Sequence, residues 1–109
     1  MSAALAWTCL VIAGALDVLW AISMKNADGF RHVGWTIASL ISLAGLVLLL
    51  GRSLEVLPVG TAYAVWTGIG AAGTVLIGAA LFGESLNAFR LLCILAIVAG
   101  VIGLRFGEA

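Results

Sequence analysis

The chain has 109 residues, of which 64% are hydrophobic and 9% charged, and its five basic and five acidic side chains balance to a formal net charge of zero. Soluble domains carry about 25% charged residues, so this composition excludes an ordinary water-soluble globule, and no nucleic-acid partner is expected. One histidine and two cysteines without metal-ligand spacing cannot assemble a zinc or haem site, so no metal and no other cofactor is expected.

Four apolar blocks follow one another, and each is expected to form a transmembrane helix: residues 3–24, 33–50, 57–81 and 88–105. A hydrocarbon core of about 30 Å needs roughly 20 apolar residues in a helix. The first block has no basic stretch before it, and three more spans follow, so it reads as mature helix rather than a signal peptide. Its second half, "GALDVLWAISMK", carries Asp17 between two apolar runs, with Gly14 and Trp20 three residues to either side, Gly14 expected to leave room beside the acid. The second block holds Ser39 and Ser42, whose hydroxyls either bond across helices or back-bond to their own carbonyls. In the third, Pro58 marks the start, and Tyr63, Trp66, Thr67 and Gly70 recur at helical spacing. The run "GIGAAG" at 68–73 lies in this span, where glycines serve close helix contact or bending rather than phosphate binding. The fourth block reaches spanning length when residues 87–90 form its first turn and Arg105 snorkels at its end. Gly100 and Gly103 give it a small-residue face, for a second copy or for packing within the chain. The connections are too short to hold a domain, and no nucleophile–base pair is present, so the chain is not expected to be an enzyme.

Asp17 is the residue that composition does not explain. A carboxylate at a helix centre costs about 2.5–3.5 kcal/mol on insertion scales. The usual structural explanation is an ion pair, yet no Lys or Arg lies inside any apolar block. Lys25, the nearest base, is eight residues on, about 12 Å along the axis. Asp17 must therefore carry a proton or face a cation from outside the chain, and the two can compete for one site. Trp20, Tyr63 and Trp66 beside a buried anion suit an organic or planar cation, through indole N–H bonds and cation–π attraction.

Four spans place both termini and the second loop on one side, with Arg52 and Arg105, and the other two loops opposite, with Lys25, Arg31 and Arg90. Two basic residues against three give hardly any bias, so the chain is expected to insert either way up. Two copies in opposite orientations then form an antiparallel dimer, with the inverted symmetry that larger transporters encode in one chain.

These residues resemble the small multidrug resistance family over essentially the whole length: "AGALDVLWAISMK", "GF" at 29–30, "LPVGTAYAVWTGIGA", "FGES" and "AGVIGLR". Trp20 and "WTGIGA" resemble its guanidinium-exporter subtype, whereas the multidrug subtype typically has glycine at the position of Trp20. The resemblance implies a bacterial inner-membrane antiporter exchanging protons for guanidinium or small substituted guanidinium ions, working as an antiparallel homodimer. The alternatives it leaves are an exporter of quaternary ammonium or aromatic cations, and one subunit of a heterodimeric pair. It also implies a shared site built from Asp17, Trp20, Tyr63 and Trp66, a bend at Gly68 and Gly70, and a dimer contact through the fourth helices. Two departures stand out. The family's acid is normally glutamate, one methylene longer than Asp17, and the second-helix serine that holds it aligns with Leu46, with Ser42 one turn away.

The charge balance makes a direct prediction. A reporter fused to the C-terminus is expected on both sides of the membrane, and two lysines added to the second loop should hold it on one. A reporter found wholly on one side in the unaltered chain would rule out an antiparallel homodimer made from it alone.

Overall fold

The computed structural model describes residues 2–107. It contains four helices, α1 (Ala3–Ala27), α2 (Val33–Ser53), α3 (Val59–Leu81) and α4 (Ala88–Gly107). All four are long and apolar enough to cross a membrane, and no strand occurs among the described residues. The shortest, with 20 residues, measures about 30 Å at 1.5 Å per residue, the thickness of the hydrocarbon core.

The helix ends follow from local chemistry. Ser2 Oγ accepts a hydrogen bond from the Leu5 N–H at 3.2 Å and caps α1. The helix continues past Met24 and carries Lys25 in its last turn, where a cation complements the helix dipole. It stops at Asp28, which turns left-handed (φ 49°) and gives its N–H to the Lys25 carbonyl. Gly29 and Phe30 also hold positive φ, and this run of three reverses the chain within a short loop so that α2 returns beside α1. Pro58 precedes α3 with φ −59°, a position where its missing N–H leaves no helical bond unmade. Asn87 Oδ1 accepts from the Arg90 N–H at 2.9 Å and starts α4.

The helices lie nearly in a row. Helix α1 packs against α2 on one side and α3 on the other, α3 carries α4, and α2 barely meets α3. The molecule measures 44 × 34 × 16 Å, and its least dimension is little more than the 10–12 Å diameter of one helix. The best-buried cluster sits between α1 and α3: Ala6, Trp7, Leu10, Leu57, Ala62 and Val65. Glycines bring the backbones together there. A Cβ added at Gly14 would meet Ile69 Cγ2 at 2.7 Å, one at Gly73 would meet Val18 Cγ2 at 2.6 Å, and one at Gly68 would meet Val101 Cγ2 of α4 at 2.8 Å. In lipid this close approach, rather than burial of apolar surface, holds helices together.

Helix α4 is the outlier: of its residues only Ile94 is buried. An added Cβ at Gly100 or Gly103 meets nothing within 4 Å, and Gly100 lines an open groove with Ala64, Gly68 and Ala71 of α3. At the other end of the bundle, Lys25 Nζ lies 3.9 Å from Glu84 Oε2 and 5.3 Å from the Phe82 ring centroid. This contact gathers the first and third loops at one end, as an up-and-down course of the helices requires.

Candidate functional site

Asp17 sits mid-way along α1, half-buried, on the side that faces α3. Its carboxylate fills the gap left by Gly70: a Cβ built there would collide with Oδ2 and stand 3.0 Å from Cγ. The acid is thus seated against helix backbone, with no side chain between. No ion pair among the described residues includes it. The charge that composition left unexplained stays without a counter-charge among the described residues.

Gly14, one turn before the acid, does not open space beside it. Ile69 of α3 closes that gap, and the space for the carboxylate comes from Gly70. Trp20, one turn after, is half-buried. On α3, Tyr63 and Trp66 stand with ring centroids 5.7 Å apart at an interplanar angle of 59°. Tyr63 is 61% exposed, whereas Trp66 packs against the α1–α3 cluster. The Trp66 Nε1 atom is buried and has no hydrogen-bond partner. A buried indole donor left unmade costs about 1–3 kcal/mol, so it stands ready for an acceptor. Thr67, by contrast, is satisfied by the Tyr63 carbonyl at 2.7 Å.

Ser42 and Ser39 bond within their own helix, Ser42 Oγ to the Ala38 carbonyl at 2.8 Å and Ser39 Oγ to the Thr36 carbonyl at 2.7 Å. Both are buried, and Leu46, one turn past Ser42, continues the same buried stripe with an apolar side chain. Of the two glycines expected to bend α3, Gly70 receives Asp17 and Gly68 receives α4, so they serve opposite neighbours. Helix α3 runs unbroken through both. The glycine run at 68–73 is expected to serve close helix contact, and Gly73 does so against Val18, a partner the sequence does not name; the buried Ser23 has no signal in the sequence. Gly73 lies three residues after Gly70, on the same helix face, and that spacing is the signal by which its facing α1 could have been found.

The Small Multidrug Resistance protein family matches residues 5–102 of this chain. Among individual proteins, the chain is 50% identical over 104 residues to a guanidinium exporter of Yersinia pestis, covering 95% of this chain and all of that one. It is 42% identical over the same length to a guanidinium exporter of Proteus vulgaris. Against the guanidinium exporter of Escherichia coli (strain K12) the identity is 45% over 101 residues, covering 93% of this chain and 96% of the relative.

The Asp17–Gly70 contact makes its own prediction. Gly70→Ala must push the carboxylate aside at a cost of about 1–3 kcal/mol, and guanidinium binding is expected to weaken roughly tenfold. Gly60→Ala, where an added Cβ meets nothing within 4 Å, should leave binding unchanged. Titration of tryptophan fluorescence with guanidinium in the two variants makes the comparison.

Proposed function

The chain belongs to the Small Multidrug Resistance protein family, and we propose that it is a proton-coupled antiporter that exports guanidinium or small substituted guanidinium ions. The observation that carries this reading is Asp17, a carboxylate within a membrane span, seated against Gly70 and without an internal counter-charge. Such a group is occupied by a proton or by a cation, never stably by neither. Binding one expels the other, and exchange across the membrane follows once the site faces each side in turn.

The surrounding groups favour a planar cation. Guanidinium presents N–H donors that fork onto a carboxylate, a geometry no quaternary ammonium can match. Trp20, one turn from the acid, and the Tyr63–Trp66 pair on α3 offer faces for cation–π contact. Guanidinium exporters at 42–50% identity over nearly the whole chain support the same cargo. Asp17 and Leu46 loosen the site: one has a shorter arm than glutamate, and the other offers no hydroxyl. Both favour a singly substituted guanidinium as an additional substrate. The reaction is transport, without chemical change to the cation.

A slab one helix thick cannot enclose a path for an ion. The assembly that completes it is a pair of chains in opposite orientation, each contributing one Asp17, in the inner membrane of a bacterium. The α4 face bearing Gly100 and Gly103, open in the single chain, supplies the contact between them. Pairing with a second, unlike subunit uses the same face.

Two measurements test this. Asp17→Asn keeps the size of the side chain and removes its charge, so the variant should fold yet neither bind guanidinium nor exchange it for protons. In the unaltered protein guanidinium affinity should fall as pH falls, because the proton and the cation share one carboxylate. Equal cation flux in Asp17→Asn would refute the exchange mechanism. The second measurement is current per unit protein, on a solid-supported membrane, for guanidinium, a singly substituted guanidinium and tetrapropylammonium. The first two should dominate, and Trp20→Gly should raise the third; a dominant tetrapropylammonium current in the unaltered protein would reject the guanidinium assignment while sparing the mechanism.

A further inference from the structure

The face of the slab turned away from the acid carries a groove of about 530 Å³, within the roughly 300–1,000 Å³ of small-molecule sites. Its walls include Val11 and Ile12 of α1, Val65 and Ile69 of α3, and Ile102 of α4. Helical geometry sets it apart from the candidate site. At 3.6 residues per turn, Asp17 stands about 120–180° around α1 from Thr8, Val11 and Ile12. On α3, Thr67 stands about 160° from both Val65 and Ile69. The hollow lined by Thr67, Ala71 and Gly100 therefore opens on the opposite face.

The groove has a polar mouth and an apolar depth. Trp7 and Arg105 border it near the end of the bundle that holds both termini. Ile12 lies about 14 Å into α1 and Ile69 about 15 Å into α3, half the thickness of a hydrocarbon core of about 30 Å. A cation in the last turn of α4 complements the helix dipole wherever its side chain points. Arg105 points across the groove: its Cζ lies 5.1 Å from the Trp7 ring centroid. A guanidinium stacked on an indole keeps its in-plane N–H edges for an acceptor. Among the described residues no carboxylate takes them, since the ion pairs Lys25–Glu84 and Arg31–Asp28 lie at the other end. Thr8, in the wall, gives its hydroxyl proton to the Ala4 carbonyl at 2.9 Å. An exposed cation without an ion-pair partner thus stands over hydrocarbon walls.

We propose that this groove binds an anionic phospholipid, with its phosphate on the Arg105 guanidinium and the upper part of one acyl chain along Val11, Ile12, Val65 and Ile69. Charge complementarity selects the headgroup, because guanidinium and phosphate pair through two parallel N–H bonds. Basic pockets between membrane helices take lipid headgroups in the same way. A zwitterionic phospholipid is the weaker ligand, since its own ammonium group offsets the phosphate charge. The apolar walls take the chain of either lipid, so selectivity resides in Arg105. The site does not depend on which cation is carried. It lies across the slab from Thr67 and Gly100, so a lipid held there competes neither with the cargo nor with a partner chain on that face.

The test places the full chain in phosphatidylcholine vesicles containing a minor fraction of phosphatidylglycerol. Either lipid carries bromine near the headgroup end of its acyl chains, at the same mole fraction. Bromine quenches tryptophan fluorescence at contact, and Trp7 reports on the groove; its share is the signal lost in Trp7→Phe. Brominated phosphatidylglycerol should be enriched at Trp7 about fivefold over brominated phosphatidylcholine. Arg105→Gln should bring the two lipids level. Arg52→Gln, which removes a basic residue from the last turn of α2 at the same end, should leave the preference intact. Ile12→Phe, which fills the groove, should lower quenching by both lipids. Equal quenching by the two lipids in the unaltered protein, or a preference that survives Arg105→Gln, overturns the proposal. So does a preference lost equally in Arg52→Gln, which assigns it to general surface charge, or quenching unchanged by Ile12→Phe.

Discussion

The structure turns on one unbalanced charge. A carboxylate in hydrocarbon is tolerated only when something neutralises it, and the described residues supply no counter-charge. Asp17 has no ion-pair partner among the described residues, and the helix facing it offers a glycine gap instead of a side chain. That gap matters as much as the charge. Because Gly70 lets the carboxylate lie directly against α3, the group is held in place without being satisfied. In the proposed mechanism the remaining demand is met from outside, by a proton or by a cation.

The thinness of the molecule follows from the same economy of parts. Helix α1, which carries the acid, is flanked on both sides, while α4 packs along α3, meets α1 where Arg105 lies over the Trp7 ring, and leaves the Cβ positions of Gly100 and Gly103 open. A single slab of helices gives Asp17 a seat but no enclosure. The proposed pairing of two chains in opposite orientation supplies the missing walls, and it makes the two sides of the membrane equivalent. Near-equal numbers of basic residues at the two ends are what such an arrangement needs, since a strong bias would hold every copy one way up.

The helices were legible because the bilayer sets their length and the solvent sets their composition. Residues 33–50 and 57–81 stood out for that reason alone, and the observed α2 and α3 differ from them only where Gly51–Ser53 continue a helix and where Pro58 starts one. Asp17 was legible because an acid among leucines has no local explanation. The partner of the acid was not. Nothing in a single sequence sets the register between α1 and α3, so the glycine that receives Asp17 could not be told from the one that receives Ile69. Gly14, expected to leave room, is closed, and Gly70, expected to bend the helix, is the seat. The hydroxyls were similarly hidden. Whether Ser39 and Ser42 bond across helices or back to their own carbonyls depends on rotamers, and both turn back. Ser23 drew no notice because its burial is a property of the α1–α2 packing.

Seat and aromatic faces converge on one proposed claim: a single carboxyl group is held alternately by a proton and by guanidinium. Infrared difference spectroscopy of the reconstituted protein reads that group directly. Adding guanidinium at a pH where Asp17 is protonated should remove one protonated-carboxyl band and raise a carboxylate band, with neither change in Asp17→Asn. Guanidinium binding that leaves the protonated-carboxyl band intact, or the same band loss in Asp17→Asn, would contradict the account.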